Sequence, residues 1–165
     1  MKAKKQHGIA ACLAMLGCVC SWLLLGSGTS NAAEGFVKFG TAIPYFYPGV
    51  FVGGGADTTI AKLLRVGGEA QGFISVDEGV YFDLGLYANV KVIAPAKSGI
   101  APYVGAGLGG IICLDGEGSS LPVMHITGGA LFGKGKRKCQ VELELMRCLQ
   151  SGCGNGYLLS AGFRF

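Results

Sequence analysis

GNGYLLSAGFRF, residues 154–165, closes the chain. Tyr157, Leu159, Ala161, Phe163 and Phe165 fall on one parity, and Leu158, Ser160, Gly162 and Arg164 fall on the other. Apolar residues at every second place are the mark of a strand with one apolar face. A terminus bathed in water is ordinarily polar and frayed. This one is apolar to its last residue, so its apolar face requires something to cover or solvate it.

The same rhythm recurs upstream. In VYFDLGLYANVKVI (80–93), Phe82, Leu84, Leu86, Ala88, Val90 and Val92 share one face, against Asp83, Gly85, Asn89 and Lys91 with Tyr81 and Tyr87. In IAPYVGAGLGGIIC (100–113), Ile100, Val104, Ala106, Leu108 and Ile112 oppose Tyr103, Gly105, Gly107 and Gly109. In CQVELELMRC (139–148), Val141, Leu143 and Leu145 oppose Gln140, Glu142 and Glu144. In AKLLRVGGEAQ (61–71), Leu64, Val66 and Ala70 oppose Arg65, Glu69 and Gln71. Eight strands are predicted, at about 36–43, 48–55, 60–72, 79–94, 100–113, 121–132, 139–149 and 156–165. Turn chemistry separates them: IPYFYP, ADTT, the stretch around SVDEG, PAKSG, DGEGSS, GKGKRK and SGCGNG. No linker or change of composition divides the strands, so they form one domain.

The front of the chain differs. MKAKKQH (1–7) is basic, IAACLAMLGCVCSWLLLG (9–26) is apolar, and GTSNAAEG (28–35) is small-residue rich. That order is a secretory signal peptide. Ser30 and Ala32 favour cleavage after Ala32, giving a signal at 1–32 and a barrel domain at 33–165. A retained anchor is the competing reading of the apolar run. The formal charge of +4 belongs mostly to the signal, since residues 33–165 hold eleven basic and ten acidic side chains. No argument for a nucleic-acid partner survives that correction.

Alternation leaves open which face is outside. A soluble barrel turns its apolar face inward, and a membrane barrel turns it outward. Three features favour the membrane arrangement. Charged residues are 15% of the chain, against about 25% in soluble domains. Glycine crowds the polar face, which suits a narrow interior. Several strands reach the 9–11 residues that cross a bilayer at a tilt. The lumen then holds Lys38, Arg65, Lys91 and Arg164 against Glu69, Asp83, Glu142 and Glu144. Buried charges must be paired, and an eight-stranded barrel is just wide enough for side chains to fill. The expectation is an all-β, eight-stranded antiparallel up-and-down transmembrane barrel with a side-chain-plugged lumen.

The signal peptide, APYVGAGLGG (101–110), the alternating strands and the terminal Phe165 resemble the small eight-stranded outer-membrane barrels: those of outer-membrane protein A, outer-membrane protein X and the opacity-type proteins. The resemblance spans 36–165 and is specific for architecture, since one fold hosts many functions. It implies residence in the outer membrane of a Gram-negative-type envelope, with lipid around the barrel and the barrel-assembly machinery as a partner during biogenesis. Tyr157, Leu159, Phe163 and Phe165 are similar to the insertion signal that this machinery reads. The predicted surface loops are short, whereas adhesive members carry long ones.

Few residues suggest chemistry. His125, in VMHITGG, is the single histidine after residue 32 and shares the parity of Val123 and Thr127. With Ser160 and Glu142 or Glu144 it supplies the residue types of an outer-membrane lipid-modifying enzyme. No His-x-Ser pair of the deacylase type accompanies it, so a hydrogen-bonded lumen histidine and no enzyme is the expectation. A soluble periplasmic barrel for an apolar ligand is the other alternative. Glu142 and Glu144 read as ion-pair partners. GLGG and GGGA precede no helix that would make a phosphate loop, and Tyr45, Phe46 and Tyr47 suit an aromatic girdle. Cys113, Cys139, Cys148 and Cys153 offer no metal-ligand spacing, and no cofactor is indicated. Cys148 and Cys153 flank one hairpin tip and are placed to bridge, the alternative being four free thiols. Cys139 lies nine extended residues, roughly 30 Å, from Cys148. Cys113 lies two strands, about 10 Å, from it. Both are expected to stay outside any bridge within the chain.

Overall fold

The computed structural model describes residues 33–43, 48–76, 80–95, 98–114, 120–133, 135, 137–151 and 153–165. The signal segment and the aromatic stretch Tyr45–Tyr47 lie outside the described residues. Eight strands run in order: β1 Glu34–Ile43, β2 Gly49–Ala61, β3 Leu64–Val76, β4 Val80–Ile93, β5 Ile100–Cys113, β6 Ser120–Phe132, β7 Lys138–Cys148 and β8 Asn155–Arg164. Each pairs antiparallel with its neighbours in sequence, and β1 pairs with β8 to close the barrel. In an antiparallel barrel this order puts the start of β1, the end of β8 and the β2–β3, β4–β5 and β6–β7 connections at one end, the turn end. The other four connections lie at the loop end.

Six strands fall within about two residues of their predicted bounds, consistent with the usual uncertainty of sequence-drawn boundaries. The predicted turn at ADTT is corrected. β2 continues through Asp57, Thr58 and Thr59 to Ala61, the reversal is Lys62–Leu63, and β3 runs on to Val76. The physical reason is that Asp57 points inward to arginine partners, and β-branched threonines fit a pleated strand. At the β6–β7 reversal, Gly133 and Gly135 adopt φ of 124° and 80°, which side chains bearing a Cβ rarely tolerate.

The distribution of side chains is inside-out relative to a soluble barrel. Phe39, Val52, Val104, Leu108, Leu143 and Phe163 are among many large apolar residues exposed on the outer wall. Lys38, Gln71, Lys91, His125, Gln140, Glu142, Glu144 and Arg164 are buried within. Where one face meets lipid and the other meets partners of opposite charge, period-two alternation satisfies both.

Candidate functional site

The interior has three levels. At mid-height, Lys38 on β1 extends its ammonium to three carboxylates. Its Nζ lies 2.6 Å from Glu69 Oε1, 2.6 Å from Glu142 Oε1 and 3.1 Å from Glu144 Oε2. Lys91 approaches Glu142 Oε2 at 3.2 Å, where the Tyr103 hydroxyl also donates at 2.7 Å. Gln71 donates from Nε2 to Glu69 at 2.7 Å and to Glu144 at 3.3 Å. Each of the three carboxylates thus meets donors, as burial of several charges in a narrow space demands, while Gln71 Oε1 has no partner.

His125 completes this level. Its Nδ1 is 2.7 Å from Glu144 Oε1, and its Nε2 is 2.6 Å from Asn89 Oδ1. The Asn89 amide donates from Nδ2 to Glu69 at 3.3 Å. Turning that amide over would set its oxygen against the carboxylate, so the oxygen faces the histidine. Both ring nitrogens are thus engaged, one by Glu144 and one by Asn89. The level sets Lys38 and Lys91, with His125 beside them, among Glu69, Glu142 and Glu144. Tyr87 stacks on the ring at a centroid distance of 5.0 Å. Gly107 faces His125 across the β5–β6 register, and a Cβ there would collide with the imidazole and with the Asn89 amide. The glycine in the polar face of β5 is the space His125 occupies.

Nearer the turn end is a second cluster. Arg65 grips Glu34 through Nη1 at 2.5 Å and Nη2 at 3.0 Å, and reaches Asp57 Oδ1 at 3.1 Å. Arg164 pairs with Asp57 through Nη2 and lies 3.7 Å from Glu34 through Nε. Toward the loop end the lumen is apolar: Phe51, Tyr87, Ile111, Val123, Met146 and Leu158 pack together with Cys148. A disulfide joins Cys148 to Cys153 there, with a Cα–Cα separation of 5.8 Å. Cys113 and Cys139 take no part in it.

Of the eight charges assigned to the lumen, the structure brings Lys38, Glu69, Lys91, Glu142 and Glu144 into one cluster and Arg65 and Arg164 into another. Asp83 is displaced from both. It sits half-buried nearer the loop end, opposite Phe73 and Cys113 in the registers. Glu34 and Asp57 were missed, because one preceded the predicted first strand and the other was assigned to a turn; extending the alternation of β2 by two residues recovers Asp57. The two ring nitrogens of His125 are taken by Glu144 and Asn89, and Ser160 is buried opposite Glu142 in the register. Tyr157, Leu159, Phe163 and Phe165 are exposed on the outer wall.

A closed eight-stranded barrel with an apolar wall and an ion-paired interior is the architecture of the small transmembrane barrels of the outer-membrane type. Among solved structures it is similar to neisserial surface protein A, at 15% identity over 80% of this chain and 94% of that one, with a TM-score of 0.63. The N-terminal β-barrel domain of Pseudomonas aeruginosa OprF is 16% identical over 81% of this chain and 96% of that one, at a TM-score of 0.58. The outer membrane enzyme PagL is 15% identical over 81% and 99% of the respective chains, at 0.55. At such identities the likeness is one of fold. No protein family and no curated protein matches the chain in sequence.

Proposed function

We propose that residues 33–165, freed from a signal peptide cleaved after Ala32, form an integral outer-membrane barrel with a structural or surface role and a closed lumen. The observation that carries this reading is the inversion of polarity between wall and interior. A wall of this kind is stable against hydrocarbon and is a liability in water. The buried ion pairs fill the section through which ions would pass. Fractionation with heat-modifiable gel migration tests the membrane half: recovery of the unboiled protein in the periplasm, with no mobility shift, overturns it. Planar-bilayer recording tests the lumen: rare or small events are expected, and stable conductance of porin size is incompatible with a plug.

The same reading assigns Tyr157, Leu159, Phe163 and Phe165 to recognition by the assembly machinery. Its support is their shared outward face and the position of Phe165, whose backbone exchanges two 3.0 Å hydrogen bonds with Gly35. Deleting Phe165, or Phe165→Asp, is expected to leave the chain in the periplasm and open to proteases. Wild-type yield in the outer membrane would remove the assignment.

A further inference from the structure

The charges that the lumen does not use are divided between the two ends. Among the described residues, the turn end holds Lys62, Arg137 and Lys138 beyond the lumen's own charges, and the loop end holds Arg147. The acids near the turn end, Glu34 and Asp57, are already engaged by Arg65 and Arg164. Among the described residues no carboxylate lies within ion-pair distance of Lys62, Arg137 or Lys138, and Lys138 acts on Glu34 only at longer range.

A cavity of about 280 Å³ opens at the turn-end mouth. Lys62 and Lys138 line it together with Arg65, and Leu63, Ile93 and Leu131 give it an apolar floor. Leu63 is also exposed, as are Ile60, Ile100 and Phe132 at the same end. The mouth is therefore continuous with the apolar wall at one rim and basic within. Two ammonium groups at an apolar-floored opening suit a compact anion that carries its own hydrocarbon.

We propose that this mouth binds the phosphodiester headgroup of an anionic phospholipid of the adjoining leaflet, with Lys62 and Lys138 as the phosphate contacts. The proposal rests on the outer-membrane reading, in which the turn end faces the periplasm and its rim lies at headgroup level. Charge complementarity selects the ligand: clustered lysines beside a bilayer attract anionic lipids, and basic pockets among spanning elements hold their headgroups. The apolar floor and exposed rim select the lipid over a free phosphate, because only the lipid fills both.

Native mass spectrometry of the detergent-solubilised barrel tests it, with phosphatidylglycerol, phosphatidylcholine and free glycerol phosphate as probes. Phosphatidylglycerol is expected to bind about tenfold or more tightly than phosphatidylcholine. The Lys62→Gln, Lys138→Gln double variant should abolish that preference, whereas Lys62→Arg, Lys138→Arg and the opposite-end Arg147→Gln should keep it. Equal retention of the two lipids, an undiminished preference in the double glutamine variant, or glycerol phosphate binding as tightly as the lipid overturns the proposal. Heat-modifiable migration of the same samples reports folding separately, so a barrel that shifts on heating yet shows no preference fails here and not as a membrane barrel.

Discussion

The middle and the loop end of the lumen solve the same problem by different physics. At mid-height, six ionisable side chains from five strands satisfy one another through directional contacts. At the loop end, Phe51, Tyr87, Ile111, Val123, Met146 and Leu158 fill the same cylinder by packing alone. Removing one partner from the charged level leaves the others buried and uncompensated. Removing an apolar side chain leaves a space that its neighbours close in part. The two levels should therefore differ in how far a single substitution propagates.

Lys38→Met should have the largest effect, since it leaves Glu69, Glu142 and Glu144 without their shared cation. Loss of about 3–5 kcal/mol is expected by analogy with broken buried pairs, read as a lower unfolding midpoint by circular dichroism or by the heat-modifiable band. The double variant Glu142→Gln, Glu144→Gln should fall in the same range, by leaving Lys91 without an anion and Lys38 with Glu69 alone. An unchanged midpoint in both would mean that the charges are hydrated and not paired.

Gly107→Ala probes the charged level by volume instead. The added methyl meets His125 and Asn89, and overpacking of this kind typically costs about 1–3 kcal/mol. The variant should also disturb the histidine's nitrogen resonances while the barrel remains folded; a native histidine spectrum would contradict the close approach. Met146→Ala, in the apolar level, is expected to cost about 2–3 kcal/mol without altering those resonances. A larger loss than that of Lys38→Met would invert the comparison. The smallest effect should come from Cys148→Ser with Cys153→Ser. Six residues close a small ring, so about 2 kcal/mol or less is expected in the entropic account, and dithiothreitol should reproduce it in the wild type.

The same contrast explains what could be read from sequence. Charges on one parity mark the interior plainly, so Lys38, Glu142 and Glu144 were legible, and with them the barrel. The apolar level is invisible to alternation, because Phe51, Met146 and Leu158 look inward from strands whose outward residues are apolar too. Asp57 was misassigned for the converse reason: a charge beside small residues resembles a turn until its arginine partners across the lumen are known. Those partners lie two strands away across the seam, six strands later in the chain, or one hairpin away, and single-strand periodicity carries no information on such distances. The Cys148–Cys153 bridge was legible through hairpin geometry, and the histidine's partners only through the packed lumen.

The seam itself carries a consequence in time. Gly35 and Phe165 form the outermost rung between β1 and β8, exchanging both backbone hydrogen bonds at 3.0 Å. Lys38, just beyond it, draws two of its three carboxylate partners from residues 104 and 106 positions later, the third being Glu69 on β3. β1 is thus the first of the eight strands and is fully satisfied only when β7 and β8 are in place. Contacts this remote in sequence form slowly, so until closure the sheet is an open ribbon with an unpaired edge at β1. Closure supplies the seam's hydrogen bonds and brings Glu142 and Glu144 to Lys38, and a ribbon that fails to close retains both a raw edge and an incompletely paired charge.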